Sequence, residues 1–463
     1  MNPATVASRL TEMSGAENVI AEPAQLASYR IGDQTPAAGV RPASAEEVGE
    51  IVRLAAAEKL AIVPCGARTK LGLGTPPRQY DLALDMTRMN RVVAYDFGDL
   101  TLGVEPGVTL RQLETVLAEH GQFLPLAVPF MNRATIGGTI ASGVDTPLRH
   151  FYGMPRDYIL GMEFVTGEGQ RAKSGGRVVK NVAGYDLHKL MIGALGTLGI
   201  VTTINFRTFP LPAERRMFVA VCGSAERALE LRHRLGLLKL RPLTVEILNP
   251  AAVEVLAGNA AAQIEAGTLP AVFSGKAAWL FTVGFVGRES VRTRYERELG
   301  QMAEQAGVEN AAVFGADESS CVFGRMREFI PIALASSPAS TVVKASVVPA
   351  RMNEILNAAR KACEANEMAG AVLARGVGVF YIALLPTARD EAAKERVVRA
   401  TEQILQGCIA AGANATIPWC PDDWKGALKV WGRERGDFAQ MREMKTAFDP
   451  PGILAPGRFA GGI

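Results

Sequence analysis

The sequence predicts an α+β protein of two domains, for three reasons. The chain has 463 residues, more than a single hydrophobic core usually supports. Segments with helical and with strand-like hydrophobic spacing alternate along it. A proline-containing stretch at residues 209–214, FPLPAE, separates a front part with dense glycine clusters from a back part in which helices and strands follow one another regularly.

The front part mixes helices with strands. An amphipathic helix is predicted at residues 45–60, with Ser44 as its N-cap. A buried strand follows at LAIVPCG, and further strands are indicated at YDLALDMTRM and GDLTLGVEPGVTL. The helix TLRQLETVLAEHG closes at Gly121, and RDYILGMEFVTGEGQ alternates like a strand that enters a hairpin. The glycine clusters fall between these elements.

The back part is predicted to be a meandering sheet with helices on one face. Helices are indicated at residues 224–236, 289–307 and 352–370, and strands at residues 243–248, 277–285, 341–349 and 378–386. We therefore expect a front domain of residues 1–213, a second domain of residues 214–425 and a closing segment of residues 426–463 that ends in proline- and glycine-rich turns.

Composition excludes several classes of protein. The net charge is only +3, and no Lys/Arg cluster with interleaved aromatics indicates nucleic-acid binding. The six cysteines have no CxxC spacing, so neither a zinc nor an iron–sulfur site is predicted, and reduced thiols are expected. No signal peptide or membrane-spanning run is recognised. The chain is predicted to be cytoplasmic, with peripheral attachment to the inner face of the membrane through partners as the alternative.

The first glycine cluster, PCGARTKLGLG at residues 64–74, directly follows a strand. Backbone N–H groups that converge in such a turn can bind a phosphate, and small residues let a pyrophosphate come close. The cluster has neither the Walker spacing nor a GxGxxG that opens a helix. Most glycine-rich turns are only turns, so this cluster alone leaves both interpretations open.

The second cluster lies at residues 131–161. The small residues between Thr135 and Gly143 can lay their backbone against a flat ring system, while Thr135 and Ser142 offer hydroxyl groups. Arg156 and Asp157 follow, either as ligand contacts or as a structural ion pair. A lone histidine such as His150 is more often packed than chemical.

The third cluster lies at residues 175–201. A short helix is predicted with Ala183, Leu187, Leu190 and Met191 on one side, and glycines at 193, 196 and 199 then turn the chain into a strand. Such a helix can lie beneath a large planar ligand, and the alternative is a tightly packed helix–strand corner. Three glycine clusters in one domain favour the ligand.

Together these motifs resemble a known family. PCGARTKLGLG, ATIGGTIASG, YGMPRDYILGMEFVTGEG and GYDLHKLMIGALGTLGIV are similar, in order and distance, to the FAD-binding domain of the vanillyl-alcohol oxidase/p-cresol methylhydroxylase superfamily. The ending FDPPGILAPGRF resembles that superfamily's return to the flavin. The run at residues 175–201 is most similar to the E subunit of bacterial glycolate oxidase, an FAD-binding protein that works beside a D-type subunit and an iron–sulfur F-type subunit.

The resemblance implies FAD as the cofactor, held non-covalently because no histidine lies between residues 64 and 74. It implies a pyrophosphate loop in which Ala67 and Arg68 replace glycines of many relatives. The residues implied for the pyrophosphate loop are Gly66, Ala67, Arg68, Thr69 and Lys70. Contacts to the flavin and ribityl chain are implied for Thr135, Gly137, Gly138, Ala141 and Gly143. Arg156 and Asp157 are implied near the adenine half, and Ile200 and Val201 at adenine itself.

The sequence departs from this pattern in the second domain. Hydroxy-acid dehydrogenases of the superfamily use a histidine-rich metal site with an HxGDGN-like motif, but the comparable place here carries Arg375, and no histidine follows His233. No metal site is therefore predicted. Arg327 and Lys344 resemble residues that bind a substrate carboxylate. The alternative for each is a solvated or structural side chain.

Three functional hypotheses follow. The leading one is an FAD-binding subunit of a glycolate (or D-lactate-like) dehydrogenase complex that passes electrons to a partner, not to NAD, and leaves most of the oxidation to a D-type subunit. The second is a self-sufficient FAD-dependent dehydrogenase of another hydroxy acid or alcohol, with Tyr381 as proton acceptor beside Arg327, Lys344 or Arg375. The third is a structural subunit without FAD.

Overall fold

The computed structural model describes residues 3–177, 184–264, 267–273, 278–434 and 436–463. In chain order the front part contains Pro3–Ser14 (α1), Val19–Ile20 (β1), Pro23–Leu26 (α2), Ala38–Val40 (β2), Ala45–Glu58 (α3), Ile62–Cys65 (β3), Leu82–Asp85 (β4), Val92–Asp96 (β5), Thr101–Val104 (β6), Leu110–Ala118 (α4), Gln122–Phe123 (β7), Ile136–Ser142 (α5), Arg149–Tyr152 (α6), Pro155–Tyr158 (α7), Ile159–Val165 (β8), Arg171–Gly175 (β9), His188–Met191 (α8), Ile200–Arg207 (β10) and Phe209–Pro210 (β11).

Two main sheets form the front part. The first has the order β1-β2-β4-β3, with β2, β4 and β3 parallel. The long helix α3 connects β2 to β3, as parallel strands require a crossover. It starts at the N-cap Ser44, which accepts a hydrogen bond from the Glu47 N–H, as predicted. The second sheet is antiparallel with the order β5-β6-β10-β8-β9.

The back part contains, in chain order, Arg216–Cys222 (β12), Ala225–Leu235 (α9), Thr244–Leu248 (β13), Pro250–Ala257 (α10), Asn259–Ile264 (α11), Trp279–Phe285 (β14), Glu289–Gln305 (α12), Ala311–Phe314 (β15), Ala316–Arg327 (α13), Phe329–Ser336 (α14), Thr341–Ser346 (β16), Met352–Ala365 (α15), Ala369–Arg375 (β17), Val379–Leu385 (β18), Glu391–Ala410 (α16) and Asn414–Trp419 (β19), and the closing segment contains Phe438–Phe448 (α17). Strands β12 to β19 form one antiparallel sheet with the order β15-β12-β14-β13-β17-β18-β16-β19. The antiparallel second sheet and the mixed helices confirm the predicted α+β class. The boundaries proposed between the domains remain a prediction.

The two faces of this sheet meet different partners. Residues such as Val372 and Phe380 pack beneath α9, α12, α15 and α16, whereas their neighbours Leu373 and Tyr381 join the hydrophobic core of the front part. Helices α10, α13 and α14 contribute to that second core as well. The expectation of a meander with helices on one face is therefore wrong in two respects: the strand order is not sequential, and helices lie on both faces.

The closing segment returns to the front part. The Ile62 N–H donates to the Ile453 carbonyl and the Ala455 N–H to the Ile62 carbonyl, each at 2.8 Å, so residues 453–455 run beside β3. Lys445 reinforces the contact, since its Nζ donates to the carbonyls of Thr197 at 2.8 Å and Leu454 at 2.7 Å. In the described residues no helix is both long and apolar enough to cross a bilayer.

Candidate functional site

The three glycine clusters meet one another in the front part. A Cβ on Gly66 would collide with the Thr135 side chain, and one on Gly196 would collide with the Pro64 ring. A Cβ on Gly143, whose φ is +59°, would lie 2.9 Å from the Gly193 Cα. Each pair of clusters thus touches at a glycine, because a side chain would hold the segments apart.

A cleft of about 850 Å³ lies between the clusters. The residues that line it are Val63, Pro64, Cys65, Gly66, Ala67, Arg68, Thr69, Lys70, Leu71, Met86, Pro106, Thr135, Gly137, Gly138, Ala141, Ser142, Met191, Leu195, Gly196, Gly199, Ile200, Val201 and Arg458. Backbone and small side chains dominate the list. The cleft is therefore shaped for a large ligand that approaches the main chain closely.

The turn at residues 66–70 offers unused donors. Its N–H groups donate to no carbonyl in the described part of the chain. Arg68 sits at φ +60°, a conformation that favours glycine, at a position where the resemblance implied a glycine in many relatives. Two contacts offset the strain: the guanidinium lies 4.4 Å from the Tyr29 ring centre and 3.3 Å from Asp85 Oδ2. The turn keeps an anion-binding shape without that glycine.

Lys70 places a cation at the cleft. The side chain is 8% exposed and its Nζ has no hydrogen-bond partner among the described residues. The nearest features are the Phe130 ring, whose centre is 5.7 Å from Nζ, and the Glu328 carboxylate. Burial lowers the pKa of Lys70 to about 8, although Glu328 opposes the shift. A buried amine without a partner is unfavourable, so this site favours an anionic ligand.

Arg458 closes the cleft from the returning segment, and sequence reasoning did not single it out. Its Nη2 donates to the carbonyls of Leu71 at 2.7 Å and Leu73 at 2.5 Å. Its Nε and Nη1 are buried and have no partner among the described residues, and burial lowers its pKa to about 10. The sequence could have indicated Arg458 as a cofactor residue, because it is the one basic residue of the FDPPGILAPGRF motif.

These features fit FAD. Unpaired N–H groups, Lys70 and the free nitrogens of Arg458 can bind a diphosphate. The apolar side chains of Met86, Met191 and Leu195 can pack against a ring system. The residues that line the cleft can therefore hold FAD, as the sequence predicted.

Most of the predicted cofactor residues line this cleft, with three exceptions. Gly143 lines the neighbouring cavity instead. Arg156 and Asp157 are not among the cleft residues; Asp157 accepts a hydrogen bond from the Met154 N–H at 2.7 Å and so caps the short helix α7. Contact of these two residues with the adenine half stays a prediction that the cleft lining does not support.

The third cluster differs from the expected helix. Only His188–Met191 is helical, with Met191 buried in the cleft and Leu187 37% exposed. Ala183 lies outside the described residues. Among the described residues the helix thus begins later than predicted, after Gly184, whose φ of +80° is not helical. Gly193 and Gly196, which also have positive φ, follow its C-terminal end as expected.

A second cavity adjoins the cleft, and Ser142 and Leu195 line both. It encloses about 580 Å³. Its lining consists of Leu73, Gly74, Ser142, Gly143, Val144, Gly193, Leu195, Lys344, Tyr381, Thr416, Pro418, Trp419, Val430 and Trp431. A molecule in this cavity would therefore lie next to whatever fills the cleft.

Strand register supplies the polar groups of this cavity. Lys344 on β16 pairs with Tyr381 on β18 and with Thr416 on β19, so the three side chains form a row on one face. No carboxylate of the described chain lies within ion-pair distance of Lys344. Burial lowers the pKa of Lys344, while Asp145 opposes the shift. The Tyr381 hydroxyl is buried and makes no hydrogen bond of normal geometry within the described residues.

A buried ion network stands beside this row. Arg375 Nε donates to Asp145 Oδ2 at 2.6 Å and its Nη1 to Glu246 Oε1 at 2.8 Å. Arg149 Nη1 bonds the other Asp145 oxygen at 2.9 Å. Burial raises the pKa of Glu246 to about 7 against the pull of Arg375. Arg375 thus joins the sheet to the front part.

The structure does not bring Arg327 into this cavity. Its Nε donates to Glu328 Oε1 at 3.1 Å, and Glu328 also accepts from the N–H groups of Phe130 at 2.7 Å and Met131 at 3.1 Å. A carboxylate role for Arg327 stays a prediction. Within the ranges that the structure describes, no group of three or more His, Cys, Asp or Glu side chains is placed to hold a metal ion.

Known proteins share this arrangement. The family of the FAD binding domain matches residues 36–175, and the family of FAD linked oxidases, C-terminal domain, matches residues 211–416 and 429–459, more than half of the chain. The glycolate oxidase subunit GlcD of Bacillus subtilis (strain 168) is 26% identical over 462 residues, 98% of this chain and 96% of its own length.

The likeness to an E-type subunit is higher but shorter. The glycolate oxidase subunit GlcE of Escherichia coli (strain K12) is 38% identical over 164 residues, 35% of this chain and 46% of its own. The solved structure of p-cresol methylhydroxylase superposes with a TM-score of 0.78 at 19% identity, over 98% of this chain and 96% of that one, so it shows the fold. The chain is thus an FAD-dependent oxidoreductase that belongs to the FAD-linked oxidases.

Proposed function

We propose that the chain oxidises a 2-hydroxy acid to the corresponding 2-oxo acid at its own FAD and passes the electrons to a partner protein rather than to NAD. One observation carries the proposal: a cavity with an unpaired lysine directly adjoins the FAD cleft. A cavity with a single unsatisfied cation suits a carboxylate substrate.

The reaction removes a hydride equivalent from C2 of the substrate, and the proton of the substrate hydroxyl is released to water at the open side of the cavity. Bound FAD supplies the two-electron acceptor. Lys344 binds and orients the carboxylate. Burial raises the pKa of Tyr381, so this hydroxyl stays protonated and donates a hydrogen bond to a substrate oxygen. That role differs from the proton acceptor considered from the sequence, because a raised pKa disfavours the phenolate.

The test is to purify the full chain, record its visible absorbance and follow reduction of an artificial dye by 2-hydroxy acids. We expect the spectrum of bound oxidised flavin, which bleaches when substrate is added without an acceptor. A flavin that no 2-hydroxy acid reduces would contradict the proposal. A colourless protein that takes up no FAD would support instead the structural subunit without cofactor.

The second candidate is an FAD-binding subunit of a glycolate dehydrogenase complex, in which a D-type subunit carries most of the oxidation and an iron–sulfur F-type subunit accepts electrons. The higher identity with an E-type subunit over 164 residues favours it, as does the absence of histidine after His233. Under this alternative the purified chain is yellow but inert, and turnover appears only when the two partners are added.

A further inference from the structure

We infer that the second cavity selects 2-hydroxy monocarboxylates with a bulky apolar, above all aromatic, side chain, and that it discriminates against both glycolate and dicarboxylates. The inference rests on the proposed function, which it deepens by naming the substrate class. Its three steps concern the size of the cavity, the chemistry of its walls and its charge.

The cavity is much larger than the smallest hydroxy acid. A two-carbon acid fills roughly the space of three water molecules, about 90 Å³, whereas the cavity together with its opening to solvent measures about 580 Å³. A small acid held at Lys344 would leave most of that space to water or void, and unfilled apolar walls forgo dispersion contacts. Size alone therefore favours a substrate with a substantial substituent.

The walls are apolar away from Lys344. Val144, Val430, Trp419 and Trp431 contribute aliphatic and aromatic surface. Trp431 is held in place by Phe459, whose ring centre is 4.8 Å away. Rigid aromatic walls bind an aryl group by offset or edge-to-face packing. The buried Trp431 Nε1 has no partner among the described residues, so it can donate to a substrate oxygen.

The charges admit one carboxylate and not two. Arg375 and Arg149 are satisfied by Asp145 and Glu246 at 2.6–2.9 Å, which leaves Lys344 as the unpaired cation among the described residues of the cavity. A second carboxylate of the substrate would lie against apolar walls without a counter-ion, which is strongly unfavourable. An aryl group meets no such penalty.

The first experiment compares three substrates of the holoenzyme with an artificial dye: 3-phenyllactate and 2-hydroxyglutarate, each as separate enantiomers, and the achiral glycolate. One enantiomer of 3-phenyllactate should exceed glycolate in kcat/KM by about 100-fold or more, given the apolar area it buries, and 2-hydroxyglutarate should be poor. If glycolate or 2-hydroxyglutarate is the best substrate, the inference is overturned while the proposed function stands. If none of the acids reduces the flavin, the proposed function itself fails.

The second experiment does not depend on turnover. Phenylacetate, acetate and glutarate lack the hydroxyl group, and their binding to the holoenzyme is followed by perturbation of the flavin absorbance. Phenylacetate should bind about 100-fold tighter than acetate, and Lys344→Met should abolish the binding of both. Equal affinity for acetate and phenylacetate, or tighter binding of glutarate, would overturn the inference even in an inactive preparation.

Two variants change the cavity in opposite ways. Trp431→Ala should reduce the preference for phenylacetate over acetate about tenfold, whereas Val144→Phe should fill the space and exclude phenylacetate while acetate still binds. Trp279→Ala is the matched control, since Trp279 lies among the residues of the other sheet face. If Val144→Phe still prefers phenylacetate over acetate, the inference is overturned. This test remains valid even if Trp431→Ala does not fold.

Discussion

The cleft and the second cavity adjoin, yet they are made in different ways. Backbone and glycine form the cleft, and its lining comes chiefly from three continuous motifs and one residue of the closing segment. The cavity shares the glycine clusters on one side, through residues such as Gly74, Gly143 and Gly193, but its other side is formed by side chains from strands β16, β18 and β19 and from the segment around Trp431. The comparison shows that a cofactor site can be predicted from the spacing of local motifs, whereas the shape of a substrate cavity depends on the register of paired strands.

The largest effect is expected from Gly66→Val. A side chain at this position collides with Thr135, and the first two glycine clusters would be forced apart. FAD should be absent from the purified variant, as measured by the flavin-to-protein absorbance ratio. Gly223→Val is the control, because a Cβ there meets nothing within 4 Å. Normal flavin content in Gly66→Val would contradict the backbone origin of the cleft.

Lys344→Met tests the side-chain origin of the cavity. It leaves a bound carboxylate buried without a cation, so kcat/KM for the acid should fall by about 100-fold or more, while the flavin spectrum is retained. Lys344→Arg should restore part of the affinity. Because burial lowers the pKa of Lys344, KM of the native chain should rise with pH from a lower pH than for an exposed lysine, and the arginine variant should flatten that rise.

Arg458→Met removes the cleft residue contributed by the closing segment. Loss of a charge-assisted hydrogen bond to the diphosphate should raise the Kd for FAD by about 30-fold, measured by quenching of flavin fluorescence on titration with apoprotein. The exposed Arg133 provides the matched control as Arg133→Met. An unchanged Kd would mean that Arg458 serves only the carbonyls of Leu71 and Leu73.

Tyr381→Phe should separate activity from stability. The hydroxyl has no partner within the described residues, so its removal should leave the free energy of unfolding unchanged or raise it by about 1 kcal/mol. At the same time kcat/KM should fall about tenfold. A clear loss of stability would show that the hydroxyl is already satisfied in the free protein.

The last prediction concerns the pH dependence of stability and Glu246→Gln. The folded-state pKa is about 7 against 4.5 in the unfolded chain, so the unfolded state releases this proton first. The contribution of Glu246 to the free energy of unfolding therefore falls as pH rises from about 4.5 to 7, by at most about 3 kcal/mol. Urea unfolding at several pH values should show a flatter dependence in Glu246→Gln than in the native chain.

The sequence was sufficient for the fold class and for most of the cleft, because those features depend on local patterns. Ser44 before an amphipathic run specifies a helix start, and glycines at 66, 143 and 196 mark close approaches. The helix over residues 183–191 was predicted too long at its N-terminal end, since periodicity does not show that the backbone from Gly184 to Asp186 is not helical.

The sequence alone did not show which side chains from distant segments lie next to one another. Lys344 was selected by resemblance, but its neighbours Tyr381 and Thr416 follow from antiparallel register across three strands. The same holds for Asp145, which comes from the front part and neutralises Arg375 of the sheet. Arg327 matched the family pattern equally well, yet it pairs with Glu328 outside the cavity. Only the tertiary arrangement distinguishes the two.

The contacts of Arg458 also have a consequence for biosynthesis. Arg458 follows Leu71 and Leu73 by 387 and 385 residues in the chain, so the ribosome must add that many residues before both walls of the flavin slot exist. The finished slot thus forms only after Arg458 has been synthesised. A nascent chain stalled before that arginine would release its flavin readily.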